Sequence, residues 1–331
     1  MPLVIHFLNV GHGDCTFIEL PSGRLMMIDI NNSKSLPEDD KVALAAANRV
    51  SILEFSRSGV LKASWEDYYQ SLLVDPYDYY QANFAGTSIF RYLQTHPDMD
   101  HMSGLWRFFW QGEVPLLNFW DVAHGKVFKK EDFDSCPYDY MDWAAYTLLR
   151  RGAGLKDGKV AEDQHRVLKV ERGDEGHYWT DDTIQVLSPT ADLVADCDAS
   201  EEYNNCSYVI KVKYGGRSVI LPGDAEESAW KSMLADLGAD SLACDILKAA
   251  HHGRKSGFYQ PAVEAMNPAV VVCSVGKKPD TDASGDYARI AENVLSTRYC
   301  GTIKVKIWSD GEVWVDNHKG ERQVTLPPLG A

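Results

Sequence analysis

Short apolar runs alternate with polar turns from the first residues onward. Residues 4–10 (VIHFLNV), 14–20 (DCTFIEL) and 24–30 (RLMMIDI) are β-rich, and Gly11-His12-Gly13 and Pro21-Ser22-Gly23 separate them. This pattern predicts a meander of three strands. Residues 42–56 predict a helix, and residues 65–84 are dense in tyrosine and acidic side chains. Residues 87–110 run from a helix or strand through a polar loop into a helix. An aromatic-rich, less regular segment follows, from about 114 to 179. Residues 182–189, 207–216 and 217–224 then predict strands, with Gly215-Gly216 as a hairpin turn. Residues 225–238 predict a helix, acidic in its first turn and closed by Gly238. Residues 243–253 form a strand ending in histidines, 261–266 a helix, 269–276 a buried strand and 286–299 a helix. Residues 302–308 and 312–317 make a closing hairpin.

Antiparallel runs followed by strand–helix alternation suit an α/β sandwich with helices outside two sheets. A chain of 331 residues that is 45% hydrophobic can bury a large core, as one domain with insertions or as two smaller ones. Its nine Trp and sixteen Tyr argue against disorder. No apolar run approaches the roughly 18 residues that span a bilayer, and the first residues read as a strand rather than a secretion signal. Seven scattered cysteines without a CxxC pair fit the cytoplasm, most of them as small core residues. The formal charge of −15 lowers the expectation of duplex nucleic-acid binding, although carboxylates that hold metal ions inflate that count.

The candidate chemistry lies where predicted strands meet loops. His96-Pro97-Asp98-Met99-Asp100-His101 places two imidazoles and two carboxylates within six residues. Oxygen and nitrogen donors at that spacing can reach one or two divalent cations from one loop. Asp224, in Leu221-Pro222-Gly223-Asp224, emerges at a strand end, where a carboxylate can bridge two cations or simply make a turn. His251-His252-Gly253 leaves another strand end and offers one ligand and one proton donor, or a structural pair. His6, His124, His165, His177 and His318 lack a partner motif and read as packed or surface residues.

Together these blocks resemble the metallo-β-lactamase fold, and within it the hydrolase domains of ComEC-type competence proteins and their stand-alone cousins without a membrane part. Residues 7–14 (FLNVGHGD) are similar to that family's FLDVGQGD opening, and Met27-Ile28-Asp29 to its following LID strand. Residues 96–105 (HPDMDHMSGL) resemble HPDADHIGGL. Asn205-Cys206-Ser207, Asp224 and the element from Lys248 to Gly253 resemble its NxS, TGD and K..HHG blocks.

The resemblance implies one four-layer αβ/βα domain over 1–331, with insertions at about 31–86 and 114–179. It implies two divalent cations, zinc or manganese. His96 and Asp98 would face one, Asp100 and His101 the other, with Asp224 bridging and His251 or His252 completing the second site. Asn205 stands where a ligand histidine is expected, Asn9 where the opening has Asp, and His12 where it has Gln. Asn205 and Lys277 are weak candidates for substrate contact, and Lys277-Lys278 stands where many relatives have Gly-His-Pro.

The implied chemistry is metal-assisted hydrolysis, in which two cations about 3.5–4 Å apart activate a shared water. Asp100, His251 and His252 are the catalytic candidates, with the unligated histidine protonating the leaving group. A phosphodiester in a nucleotide or single-stranded nucleic acid is the first expectation. Esters, lactones or thioesters, and a silent metal-stabilised binding module, are the alternatives.

Overall fold

The computed structural model describes residues 1–33, 64–274 and 281–330. The predicted helix over 42–56 and Lys277-Lys278 lie outside them. Among the described residues, nine strands form the larger sheet. In spatial order they are Arg322–Leu326, Val313–Asp316, Ile303–Ile307, Leu3–Phe7, Thr16–Glu19, Leu25–Ile28, Ile89–Leu93, Leu116–Trp120 and Arg166–Leu168. The opening meander is antiparallel, and the last three strands continue it in parallel. The smaller sheet runs Asn293–Ser296, Val270–Cys273, Ile246–Lys248, Arg217–Leu221, Val209–Tyr214 and Ile184–Ser188.

Side-chain alternation along these strands builds the layers. Leu3, Ile5 and Phe7 face inward and meet Ile210, Val212, Val219, Leu221, Ile246, Val270 and Val272 of the other sheet in one buried cluster. The intervening Val209, Ile220, Leu247 and Val271 point outward and are covered by Ala229, Trp230, Met233, Ala262 and Val263 from two helices, Glu227–Leu237 and Gln260–Met266. On the far side, Phe17, Met27, Tyr92 and Phe119 lie under helices Pro76–Phe84 and Tyr140–Leu149 and the π-helical segment Trp106–Gln111. Helix, sheet, sheet and helix are thus stacked in the four-layer αβ/βα order.

Two segments depart from the sequence reading. Part of 114–179, read as an insertion, supplies the sheet strands Leu116–Trp120 and Arg166–Leu168. The helix over 286–299 is instead a short helix, Ser284–Tyr287, followed by the strand Asn293–Ser296 and another short helix. That strand pairs in parallel with Val270–Cys273, so sheet pairing overrides a weak helical pattern. No helix among the described residues is long and apolar enough to cross a membrane.

Candidate metal centre

The loops leaving the C-terminal ends of several strands converge at one end of the sandwich. Leu3–Phe7 leads to His12 and Asp14, Leu25–Ile28 to Asp29, and Ile89–Leu93 to the 96–101 loop. Arg217–Leu221 leads to Asp224, and Ile246–Lys248 to His251 and His252.

The 96–101 loop is fixed from below. Gln94 Nε2 donates to the carbonyls of His96 (2.9 Å) and His101 (3.0 Å), while Tyr92 Oη donates to Gln94 Oε1 (2.6 Å). Met99–His101 closes as a 3₁₀ turn. Gly13 permits the close approach of the first loop, because a Cβ there would collide with the Asp100 carbonyl. Gly223, at φ +55°, sets Asp224, and a Cβ on it would lie 2.7 Å from Thr95 Cβ. Ser207 Oγ accepts from the Asp224 backbone N–H (3.2 Å).

Four imidazoles share one arrangement: Nδ1 is tied to an oxygen and Nε2 is turned toward the cluster. His101 Nδ1 meets Asp29 Oδ2 (2.8 Å), and Asp29 is itself held by the Thr95 N–H and hydroxyl (both 2.7 Å). His96 Nδ1 meets Thr95 Oγ1 (3.0 Å), and His252 Nδ1 meets Ser274 Oγ (3.4 Å). His251 Nδ1 meets Glu226 Oε1 (2.9 Å) and Ser256 Oγ (2.7 Å). Such a partner on the rear nitrogen leaves the front nitrogen free to coordinate.

Three of those front nitrogens surround Asp224. Its Oδ2 lies 3.2 Å from His101 Nε2, 3.3 Å from His252 Nε2 and 3.5 Å from His251 Nε2. Asp100 Oδ2 lies 3.4 Å from His252 Nε2 and 3.8 Å from His12 Nε2. His96 Nε2 lies 3.7 Å from Asp98 Oδ2, and Lys126 Nζ donates to Asp98 Oδ1 (2.5 Å). Among the described residues, two groups of donors have their ligand atoms within 4.8 Å of one another: Asp14, His101, Asp224 and His252, and His12, Asp100 and His252.

Whether these residues suit a cation is tested by their unmet hydrogen bonds. Nε2 of His96, His101 and His252 and Oδ1 of Asp14 and Asp224 are buried without a hydrogen-bond partner. Leaving so many polar atoms unmatched in one place is costly. A divalent cation satisfies imidazole nitrogens and carboxylate oxygens together, so the donor set fits.

Charge distribution points the same way. Burial opposes charge on His101 and His252, but Asp224 overcomes it, helped by Asp29 and Asp14 respectively. The His101 pKa therefore lies well above the ordinary imidazole value, and that of His252 is pushed up to about 10. Burial also opposes charge on Asp100 and Asp224, and the neighbouring histidines hold both well below the usual carboxylate range. His96 moves down through burial and the charge on His101. His12 falls to about 3 through burial, then His252 and Arg254.

The site also contains residues that the sequence reading did not single out as donors. Asp14, Asp29 and His12 belonged to segments read as turns or strands, yet each follows an apolar strand, the same signal that marked Asp224. Lys248 forms a buried ion pair with Asp14. The Tyr138 hydroxyl, pushed up to about 12 by burial and then by Asp100, brings the aromatic 114–179 segment close to the acidic loop.

Asn205 points elsewhere: its Oδ1 accepts from the Ala229 N–H (3.1 Å) in the first turn of the helix Glu227–Leu237. His124 is buried against Tyr146 Oη (2.6 Å), and His6 packs between Glu19 (2.9 Å) and Tyr79 (2.7 Å). His165 and His318 bond backbone carbonyls.

No family model matches the chain. The Bacillus subtilis ComE operon protein 3 is 29% identical over 220 residues, which are 64% of this chain and 24% of that protein. Recombination protein 2 of Haemophilus influenzae is 29% identical over 138 residues, 40% of this chain and 16% of that protein. The chain thus matches a quarter or less of the length of either relative. Among solved structures, Igni18, described as a metallo hydrolase of Ignicoccus hospitalis, aligns over 91% of this chain and 98% of its own. Its TM-score is 0.46 at 13% identity. With its four layers and its ordered motifs, the chain is a metallo-β-lactamase-fold protein that resembles the ComEC-type competence proteins.

Proposed function

We propose that the chain is a metal-dependent hydrolase acting on a phosphodiester, in a nucleotide or a single-stranded nucleic acid. One observation carries the reading: buried imidazole nitrogens and carboxylate oxygens converge at the strand ends with their hydrogen bonds unmet. Asp14, His101, Asp224 and His252 hold one cation in this reading. His96 and Asp98 would serve a second, with Asp224 between them, and Asp100 lies on the His252 side of the cluster. Zinc and manganese both suit such mixed nitrogen and oxygen donors. Bound cations of this kind lower the pKa of a water toward neutrality and balance the charge that develops on phosphorus.

The chain's own residues supply the rest. Asp29 and Thr95 orient the His101 and His96 rings. Asp100 Oδ2, beside His252, orients the attacking water. His251 stands at the more open side of the cluster, with Nδ1 tied to Glu226 and Nε2 near Asp224. That Nε2 takes up a proton released by the attacking water and passes it to the leaving oxygen. Nucleic-acid chemistry is supported by the name of one relative, Recombination protein 2. The charge of −15 favours a small or single-stranded substrate over a duplex. The free thiols fit a cytoplasmic setting.

The test is hydrolysis of bis-p-nitrophenyl phosphate with Mn²⁺, Zn²⁺ or chelator, beside Asp100→Ala. Metal-dependent release that the variant loses supports the reading. Silence with every metal, alongside cleavage of carboxylic esters or lactones, overturns the phosphodiester assignment.

A further inference from the structure

Arg254 follows the histidine pair on the same loop and stands partly exposed beside the cluster. Its Nη2 donates to His12 Nε2 (2.5 Å) and its Nη1 to His251 Nε2 (3.3 Å). Among the described residues, no carboxylate lies within ion-pair distance of this guanidinium. An arginine side chain is always charged, and its planar fork pairs best with two oxygens of a carboxylate or phosphate. Two imidazoles accept its hydrogen bonds but leave the positive charge unmatched.

The placement of those imidazoles gives the charge a direction. His12 Nε2 is 3.8 Å from Asp100 Oδ2, and His251 Nε2 is 3.5 Å from Asp224 Oδ2. Arg254 therefore shares an imidazole Nε2 with each carboxylate, on the side of the cluster where His251 is partly open. Its backbone is anchored there: Arg254 N donates to the His251 carbonyl (2.9 Å), and the residue bridges to Asp282. The guanidinium is thus held at the partly exposed edge of the cluster that carries Asp100 and Asp224.

We infer that Arg254 is a substrate-binding residue that takes the non-reacting oxygens of the substrate's phosphodiester group, an assignment that rests on the function proposed above. A phosphodiester offers paired anionic oxygens to the fork. A neutral carboxylic ester offers one uncharged acceptor, which leaves the guanidinium charge unmatched. Arg254 thereby sets the preference for a phosphorus over a carbonyl centre.

The full chain loaded with Mn²⁺ tests this through Arg254→Ala and Arg254→Lys. Three readouts are needed: inorganic phosphate affinity by calorimetry, bound manganese per chain, and the KM and kcat for bis-p-nitrophenyl phosphate. Loss of a charge-assisted hydrogen-bond pair predicts roughly ten- to hundredfold weaker phosphate binding in Arg254→Ala. The same variant should show a larger change in KM than in kcat and unchanged manganese content, and Arg254→Lys should recover part of the affinity. Unchanged phosphate affinity in Arg254→Ala, with wild-type turnover intact, overturns this inference and leaves the proposed function standing. Loss of manganese in both variants overturns it too, because the arginine would then serve the metal site. A wild-type protein that binds manganese but cleaves no phosphodiester refutes the proposed function instead.

Discussion

Asp14, in the loop after Leu3–Phe7 of the larger sheet, and Lys248, in a strand of the smaller one, form an ion pair in which both side chains are only 4% exposed. Lys248→Met keeps much of the side-chain volume but leaves the Asp14 carboxylate buried without its ammonium, with only the longer contacts to His252 Nδ1 (3.4 Å) and His101 Nδ1 (3.9 Å). Asp14→Ala leaves the ammonium with the Ala249 carbonyl at 3.4 Å. Breaking a buried pair from one side typically costs about 3–5 kcal/mol, because the surviving charge is uncompensated. The double variant removes both charges and should recover much of that loss, giving a coupling energy of about 2–3 kcal/mol. The assay is urea unfolding followed by tryptophan fluorescence, in chelator so that metal binding does not enter. Repeating it with Mn²⁺ separates the residues, since only Asp14 is also a candidate ligand. Manganese at one hundred times its Kd would add about 2.7 kcal/mol to the wild type, and that increment should shrink in Asp14→Ala more than in Lys248→Met. A coupling energy below about 0.5 kcal/mol in chelator would refute the account of the pair.

Other outcomes follow from the same geometry. Asp100→Ala and His101→Ala should abolish turnover while circular dichroism stays near wild type, whereas His318→Ala, remote from the cluster, should change nothing measurable. Metal binding should release protons at pH 7, because His252, with its pKa at about 10 in the metal-free protein, must be neutral to coordinate. Calorimetry in buffers of different ionisation heat reads that release, and no buffer dependence would contradict it. The raised His252 pKa also fixes the sign of a stability change: its contribution is complete below pH 6.5 and is lost as the pH rises toward 10. The Tm of the chelated protein should therefore fall across that window more than the Tm of the metal-loaded protein. Gly223→Ala should lower stability and metal content together, since its positive φ and the contact with Thr95 both resist a Cβ.

The parts legible in the sequence are those whose chemistry is contiguous or follows an unmistakable strand. The opening meander, the Gly215-Gly216 hairpin and the helix closed by Gly238 each carry their own turn signals, and all three form. The 96–101 loop, Asp224 and the histidine pair stood out because several donors are crowded at strand ends. Asp14 and Asp29 are single carboxylates inside segments that alternation already explains. Their approach to His101 and His252 depends on which loops the two sheets bring together, which periodicity does not encode. Asn205 illustrates the opposite case. Its place in the order of motifs suggested a missing ligand, whereas its side chain satisfies a free N–H at a helix start, a common use of asparagine. The strand Asn293–Ser296 was hidden because its few apolar residues fit a helical period as well as an extended one, and only the neighbouring Val270–Cys273 decides between them.

The position of Leu3–Phe7 bears on how the protein is made. One edge of that strand pairs with Thr16–Glu19 almost at once, but the other waits for Ile303–Ile307. At about 5–20 residues per second, that gap lasts roughly 15–60 seconds of ribosomal synthesis. Throughout it, a strand made wholly of residues destined for burial offers open hydrogen-bonding groups to any passing chain. The nascent polypeptide is therefore a natural client for chaperones that shield β edges, and slowed translation before residue 303 should raise the fraction lost to aggregation.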